Sequence, residues 1–221
     1  MKSKALVLLS GGQDSTTCLY WAMNKFEHVM ALSIDYGQRH HIELESAKKI
    51  AHIAKVNHEI FATSIFTDIG DSALIGDGDI SASHKSSKDL PASFVPGRNI
   101  LFLTVAGALA YKKGITNIVT GTCQTDFSGY HDCRDNTIKS LQVTLSLGLG
   151  KDIIIHTPLM WLTKKETVDL AISLPGCGEA LAYSHTCYEG QRPPCGKCPA
   201  CKLREKGFKE AGVEDPLLRL K

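Results

Sequence analysis

Lys4-Ala-Leu-Val-Leu-Leu9 runs directly into Ser10-Gly11-Gly12-Gln13-Asp14-Ser15, and a helical period follows from Thr16 to about Phe26. The apolar run has the length of one buried strand, and the glycines mark a turn. Strand, glycine turn and helix together offer backbone N–H groups and a helix N-terminus to an anion. Gly11 and Gly12 lack a Cβ, so the backbone there is free to take φ > 0 and to approach a ligand closely. Ser10 and Ser15 add hydroxyls, and the helix end adds a partial positive charge worth about 0.3–2 kcal/mol per favourable contact. Asp14 repels a polyphosphate unless it holds Mg²⁺ or caps the helix. Neither G-x-x-x-x-G-K-[ST] nor G-x-G-x-x-G occurs here, so the P-loop and the dinucleotide fingerprint are both excluded. The bland alternative is an ordinary strand-to-helix turn with a capping serine.

Outward from this unit the periodicity alternates. Strands are expected at His28–Asp35, Glu59–Thr63, Asn117–Gly121 and Asp152–His156, and helices at His41–Lys55, Asn99–Lys113 and Asp135–Leu149. Thr163-Lys164-Lys165-Glu166 is a capping box opening a helix that stops near Pro175-Gly176. A last short helix is expected at Leu203–Ala211. This alternation predicts an α/β fold, a parallel sheet with helices on both faces. Residues 68–92 break the rhythm with Gly, Ser, Asp and Lys, as a lid over a reactive intermediate or a disordered loop would. Two units are expected: residues 1–176, the α/β domain, and residues 177–221, a cysteine-rich element with a terminal helix.

Ligands of open α/β sheets bind beyond the carboxyl ends of the strands. Three polar segments fall at such ends: the Ser10–Ser15 loop, Asp35-Tyr36-Gly37-Gln38-Arg39-His40, and the stretch from Thr122 to Arg134. They are expected to converge on one crevice. Asp35 either reaches the adenosine end or closes a turn; Arg39, His40 and His41 either face a nucleotide or open a solvated helix. Net charge is only +2 over 221 residues, so no bulk attraction to nucleic acid or to a membrane surface is expected. The N-terminal apolar run is too short for a signal sequence, and no stretch spans a bilayer.

Cys18, Cys123, Cys133 and Cys177 are scattered, whereas Cys187, Cys195, Cys198 and Cys201 crowd within fifteen residues. That distribution suits a reducing cytoplasm and one metal site rather than a disulfide framework. Two C-x-x-C steps sharing Cys198, with one upstream cysteine, match a tetrahedral Zn²⁺ site, with an iron–sulfur cluster as the competing reading. Arg192, Lys197, Lys202 and Arg204 lie close enough in sequence to offset the thiolate charge. Four cysteines leave His185 no ligand vacancy. Cys123 and Cys133 have nothing in the sequence to activate them and are read as packing or loop residues.

SGGQDS resembles the SGGxDS pyrophosphate loop of the ATP pyrophosphatases. Together with DYGQRH, VPGRN, TDFSGYHDCRD and TCYEG…PCGKCPACKLREKGF, spread over nearly the whole chain, it resembles the 7-cyano-7-deazaguanine synthase family of queuosine biosynthesis. One departure is His131, where a proline is expected in the family segment. The resemblance implies an adenine-nucleotide hydrolase-like, Rossmann-type fold and an ATP-dependent carbon–nitrogen ligase. Such an enzyme converts 7-carboxy-7-deazaguanine and ammonia to a nitrile through an adenylated carboxylate and an amide. It further implies nucleotide contacts along Leu9, Ser10, Gly11, Gly12, Gln13, Asp14, Ser15, Thr16, Thr17, Cys18 and Leu19, with Mg²⁺ accompanying ATP. A structural Zn²⁺ and a homodimer are also implied.

Ser10, Asp14, Ser15 and Arg98 are the catalytic candidates. Arg98, after Pro96-Gly97, is a candidate bidentate clamp for carboxylate or phosphate, with a surface ion pair as the alternative, and Asn99 is a candidate cap for its helix. Asp126 and Asp132 are candidates for the aminopyrimidinone edge of the base, Phe127 and Tyr130 for stacking on it. Two other classes fit the same loop: an adenylating enzyme acting on RNA, and a non-catalytic nucleotide-binding module whose metal element docks a partner.

Overall fold

Side chains of the first strand divide between two cores. A computed structural model describes residues 3–70, 72–75, 83–84, 87–125 and 130–219. In it β1 (Lys4–Leu8) lies at the centre of a five-stranded sheet. Ala5, Val7 and the following Leu9 face one cluster, and Leu6 faces the other. All are fully buried or nearly so, as expected for a strand covered on both faces.

The sheet order is β3 (Asn57–Ala62), β2 (His28–Asp35), β1, β6 (Asn117–Val119), β7 (Ile154–His156), and every pairing is parallel. Helices α1 (Gln13–Lys25), α2 (Ile42–Ile53), α6 (Lys164–Ser173) and α7 (Cys177–Leu181) supply the first core, together with Phe208 of α8 (Pro199–Ala211). The second core takes Phe66 of α3 (Ile65–Ile69) and the buried faces of α4 (Arg98–Lys113) and α5 (Asp135–Leu149). The expected class, a parallel sheet with helices on both faces, is the one observed. From β1 the chain steps outward through β2 to β3, then returns to the other side of β1 as β6. The loops after β1 and β6 therefore diverge, and a crevice opens at this switch point.

Several boundaries differ from those expected. The first helix begins at Gln13, three residues before Thr16, because the glycine turn delivers the chain straight into helical geometry. The last begins at Pro199, whose ring suits the first helical turn, rather than at Leu203. Helix α7 was not expected at all. The 68–92 segment is not wholly structureless: α3 ends in it, and β4 (Ser83–His84) pairs antiparallel with β5 (Ser87–Pro91). The Thr163 capping box is present, with Thr163 Oγ1 accepting from Glu166 N at 3.2 Å and Glu166 Oε2 accepting from Thr163 N at 2.7 Å.

The cysteine-rich element has a small core of Cys187, Cys198 and Cys201 with Tyr188, Cys195 and Ala200 packed against it. Arg204 ties it to α7 and to the segment that follows α8. Its guanidinium makes a two-pronged pair with Asp215 at 2.6 and 2.8 Å and donates to Ser184 Oγ, Thr186 Oγ1 and the Leu181 carbonyl. Arg192 donates to the carbonyls of Tyr183 and Ser184 and to Ser46 Oγ on α2. Arg192 thus reaches α2, while the acceptors of Arg204 are all oxygens of residues 181–215. No described helix is long and apolar enough to cross a membrane.

Candidate active site

A cavity of about 710 Å³ opens at the switch point, within the size range of small-molecule sites. The three expected segments meet there: Ser10, Gly12, Gln13, Asp14 and Ser15 after β1, Tyr36 and Gln38 after β2, and Thr122, Cys123, Tyr130 and Cys133 after β6.

The loop is built around its serine pair. Ser10 Oγ and Ser15 Oγ are 3.0 Å apart, Ser15 Oγ accepts from Ser10 N at 3.2 Å, and Ser10 Oγ accepts from Gly12 N at 3.4 Å. Gly12, not Ser10 or Asp14, is the N-cap of α1, and no side chain caps this helix. The first-turn N–H groups of α1 are thus left for an anion. Only Gly11 uses the left-handed region, at φ +90; Gly12 has φ −80. A Cβ on Gly11 would overlap the Glu43 carbonyl oxygen and lie 2.8 Å from Ala47 N. Gly11 is therefore needed less for the ligand than for seating the loop against α2.

Asp14 is neither a cap nor unopposed. Lys164 Nζ, from the capping-box end of α6, donates to Asp14 Oδ2 at 2.6 Å, while Oδ1 is buried with no partner. Gln13 Nε2 and Thr122 Oγ1 are likewise buried without partners. All three residues line the cavity. Orphaned buried polar atoms are costly, so this wall suits polar occupants such as a phosphate and its Mg²⁺. Thr16, Thr17, Cys18 and Leu19 are fully buried and do not line the cavity. Thr16 and Thr17 donate to the carbonyls of Gly12 and Gln13, and Cys18 and Leu19 pack in the first core. Gly11 also lies behind the surface.

The second set of lining residues surrounds Arg98. Its Nη1 donates to Tyr36 Oη at 3.4 Å, and its guanidinium lies 5.8 and 6.0 Å from the Tyr36 and Tyr130 ring centres. Tyr130 Oη is 2.7 Å from Ser93 Oγ and hydrogen-bonds Tyr188, which the cysteine-rich element contributes. Burial pushes the Tyr36 and Tyr188 hydroxyls above their ordinary range, so both stay protonated. Glu43, in the first turn of α2, also lines the cavity. Burial raises its carboxyl to about 7 against the pull of Arg98.

Asn99 does not cap α4. Gly97 is the N-cap residue, and Asp132 Oδ2 accepts from Asn99 N at 2.9 Å. That bond places Asp132 at the start of α4, and Asp132 is not among the residues lining the cavity. Asp126 and Phe127 lie outside the described residues. His131 is exposed in a 3₁₀ turn, His131–Cys133. Burial and Asp132 push the Cys133 thiol up to about 12, which keeps it protonated. Sequence reasoning missed Lys164, Glu43 and Tyr188. Lys164 was visible only as part of a capping box, and Glu43 only as a polar position on an amphipathic helix. Tyr188 stood next to a metal-type cysteine, the one hint that the element reaches the site.

All four sulfurs of Cys187, Cys195, Cys198 and Cys201 lie within 4.8 Å of one another. A Zn–S distance near 2.3 Å implies sulfur separations of about 3.8 Å in a tetrahedron; Cys195 and Cys201 are at 3.9 Å. Cys195 Sγ accepts from Cys198 N and Lys197 N at 3.3 and 3.4 Å, which holds its thiol down to about 7. His185 stands apart, its Nε2 bonded to the Cys187 carbonyl at 2.9 Å. The donor set fits a closed structural metal site.

Residues 4–212 match the model of the family described as queuosine biosynthesis protein QueC. The chain belongs to the QueC family. This QueC-family chain is 55% identical to the 7-cyano-7-deazaguanine synthase of Chromobacterium violaceum, over 97% of this chain and 93% of that one. It is 53% identical to the enzyme of that name from Laribacter hongkongensis, over 97% and 93%. With that from Lysinibacillus sphaericus the identity is 47%, over 95% of each. Among solved structures, a 4-thiouridine synthetase crystallised with RNA and ATP is similar in fold. Its TM-score is 0.56 at 15% identity, covering 98% of this chain and 52% of that one.

Proposed function

We propose that this chain is an ATP-dependent ligase that converts 7-carboxy-7-deazaguanine and ammonia to 7-cyano-7-deazaguanine. The observation that carries the reading is the uncapped Ser10–Ser15 loop at the switch point of a QueC-family chain. A carboxylate is a poor electrophile until its oxygen becomes a leaving group. Attack of that oxygen on the α-phosphorus of ATP forms the acyl adenylate and expels pyrophosphate. The charge that develops on the departing group falls to the α1 amides, to Ser10 and Ser15, and to Lys164. Asp14, whose Oδ1 has no partner among the described residues, would hold a Mg²⁺ ion, which would supply further neutralisation of the phosphates when bound. Arg98, screened by tyrosines, clamps the substrate carboxylate, and Tyr130 stacks on the base. Ammonia then displaces AMP to give the amide. A second ATP then adenylates the amide oxygen and expels pyrophosphate; loss of two protons from nitrogen and cleavage of the C–O bond, with AMP departing, leave the nitrile.

The four-cysteine set holds one structural Zn²⁺, a colourless ion; a brown protein with visible absorption would instead mean iron and sulfide. Reduced thiols suit the cytoplasm. A homodimer is the expected assembly, checked by sedimentation. The decisive test of function is incubation with 7-carboxy-7-deazaguanine, ammonium chloride and Mg·ATP, read by mass spectrometry. Amide and nitrile should appear only with all three present. Hydrolysis of ATP without either product would overturn the reading.

A further inference from the structure

The nitrogen donor arrives at neutral pH as ammonium, which has no lone pair, and something in the cavity must take its proton. Among the described residues, two acids line the cavity, Asp14 and Glu43. Asp14 is held by Lys164 at 2.6 Å. The Glu43 carboxylate has no hydrogen-bond or ion-pair partner among the described residues, yet Arg98, Tyr36 and Tyr188 all act on it electrostatically. The backbone that carries it is held by an independent contact. Gly11 is seated against the Glu43 carbonyl and the Ala47 nitrogen so closely that no Cβ fits between them. The first turn of α2 is thereby locked to the loop that holds the polyphosphate. The other bases are poorly placed: His185 Nε2 is tied to the Cys187 carbonyl, and Cys133 is buried and protonated.

Resting on the ligase reading above, we propose that Glu43 binds the ammonium ion beside the Arg98-held carboxyl group and removes its proton. One N–H bond breaks and its proton forms an O–H bond on Glu43, leaving neutral ammonia. The nitrogen lone pair forms the C–N bond to the acyl carbon, the C–O bond to AMP breaks with its electrons, and the surplus nitrogen proton leaves to solvent. Glu43 then returns its own proton to solvent. A carboxyl group poised near neutral pH is suited to this exchange. The α2 N-terminus and Arg98 keep a fraction ionised, and burial among Tyr36, Tyr188 and Arg98 keeps it basic enough to accept.

The test compares wild type with Glu43→Gln and Glu43→Asp in three assays. Pyrophosphate–ATP exchange with 7-carboxy-7-deazaguanine reads adenylation alone. Amide formation from ammonium chloride reads the full step. Hydroxamate formation from hydroxylamine, largely unprotonated at neutral pH, reads attack by an amine that needs no base. Glu43→Gln should lose amide formation about 10²–10⁴-fold, keep exchange and hydroxamate formation, and close the gap as pH rises and free ammonia accumulates. Glu43→Asp should recover part of the loss. Equal loss of hydroxamate and amide, or unchanged amide formation with an unchanged pH profile, would overturn the proposal. Absence of exchange in wild type would instead sink the ligase reading itself.

Discussion

Ser10 organises the loop by touching both ends of it, the Gly12 amide and the Ser15 hydroxyl. Ser10→Ala should lower nitrile formation by about 10²–10³-fold, the usual effect of removing one donor aimed at developing charge, with the circular dichroism spectrum unchanged. Lys164→Met should do at least as much. It removes a cation from the cavity wall and leaves Asp14 without its lysine partner; steady-state kinetics against ATP measure both. The sequence left Asp14 as either a Mg²⁺ partner or a helix cap, since a carboxylate beside a polyphosphate is otherwise repulsive; a lysine partner was not among those readings. That lysine, Lys164, lies 150 residues away and carried its own local explanation in the capping box. Glu43 escaped notice for the converse reason: an acid in a helix's first turn is ordinary, and only the fold reveals that this one faces a cavity.

Helix α2 and the loop are one mechanical piece. Gly11→Ala forces a side chain into the left-handed region and onto α2 backbone that has no room to move. A loss of several kcal/mol is expected in urea unfolding. Glu43 gives the same helix a pH signature. Its carboxyl is raised from 4.5 to about 7 in the fold. The native state therefore binds the proton more tightly than the unfolded chain, and the stability this confers is lost as pH rises through that interval. Relative to wild type, Glu43→Gln should gain in Tm between about pH 4.5 and 7 and hold that gain above it; scanning calorimetry across the range checks the sign. At this scale, elements with strong periodicity were legible, α5 to the residue. Helix α7 was not, because its five residues fall within a segment dominated by cysteine and turn signals.

Across the whole molecule, the sheet order and the metal element act on the same cavity. The order β3-β2-β1-β6-β7 separates the loops after β1 and β6. The cysteine-rich element then closes one side, lining the cavity with Tyr188, Pro199, Ala200, Leu203 and Arg204. Its four ligands within fifteen residues were plain in the sequence; its reach into the site was not, since that depends on Arg204 and Arg192 pinning it to α7 and α2. Metal removal should accordingly cost activity and stability together. Chelation, or Cys201→Ser, should release one ion per chain and abolish nitrile formation along with the far-ultraviolet signal of α8, since structural zinc sites in small peptides are worth about 10–16 kcal/mol. Plasma emission spectrometry and circular dichroism on one sample would link the two losses. The most direct test of the account is a crystal structure with Mg·ATP. Its β- and γ-phosphates should lie within hydrogen-bonding distance of the Ser10 and Ser15 hydroxyls and the first amides of α1, and a triphosphate bound anywhere else would contradict it.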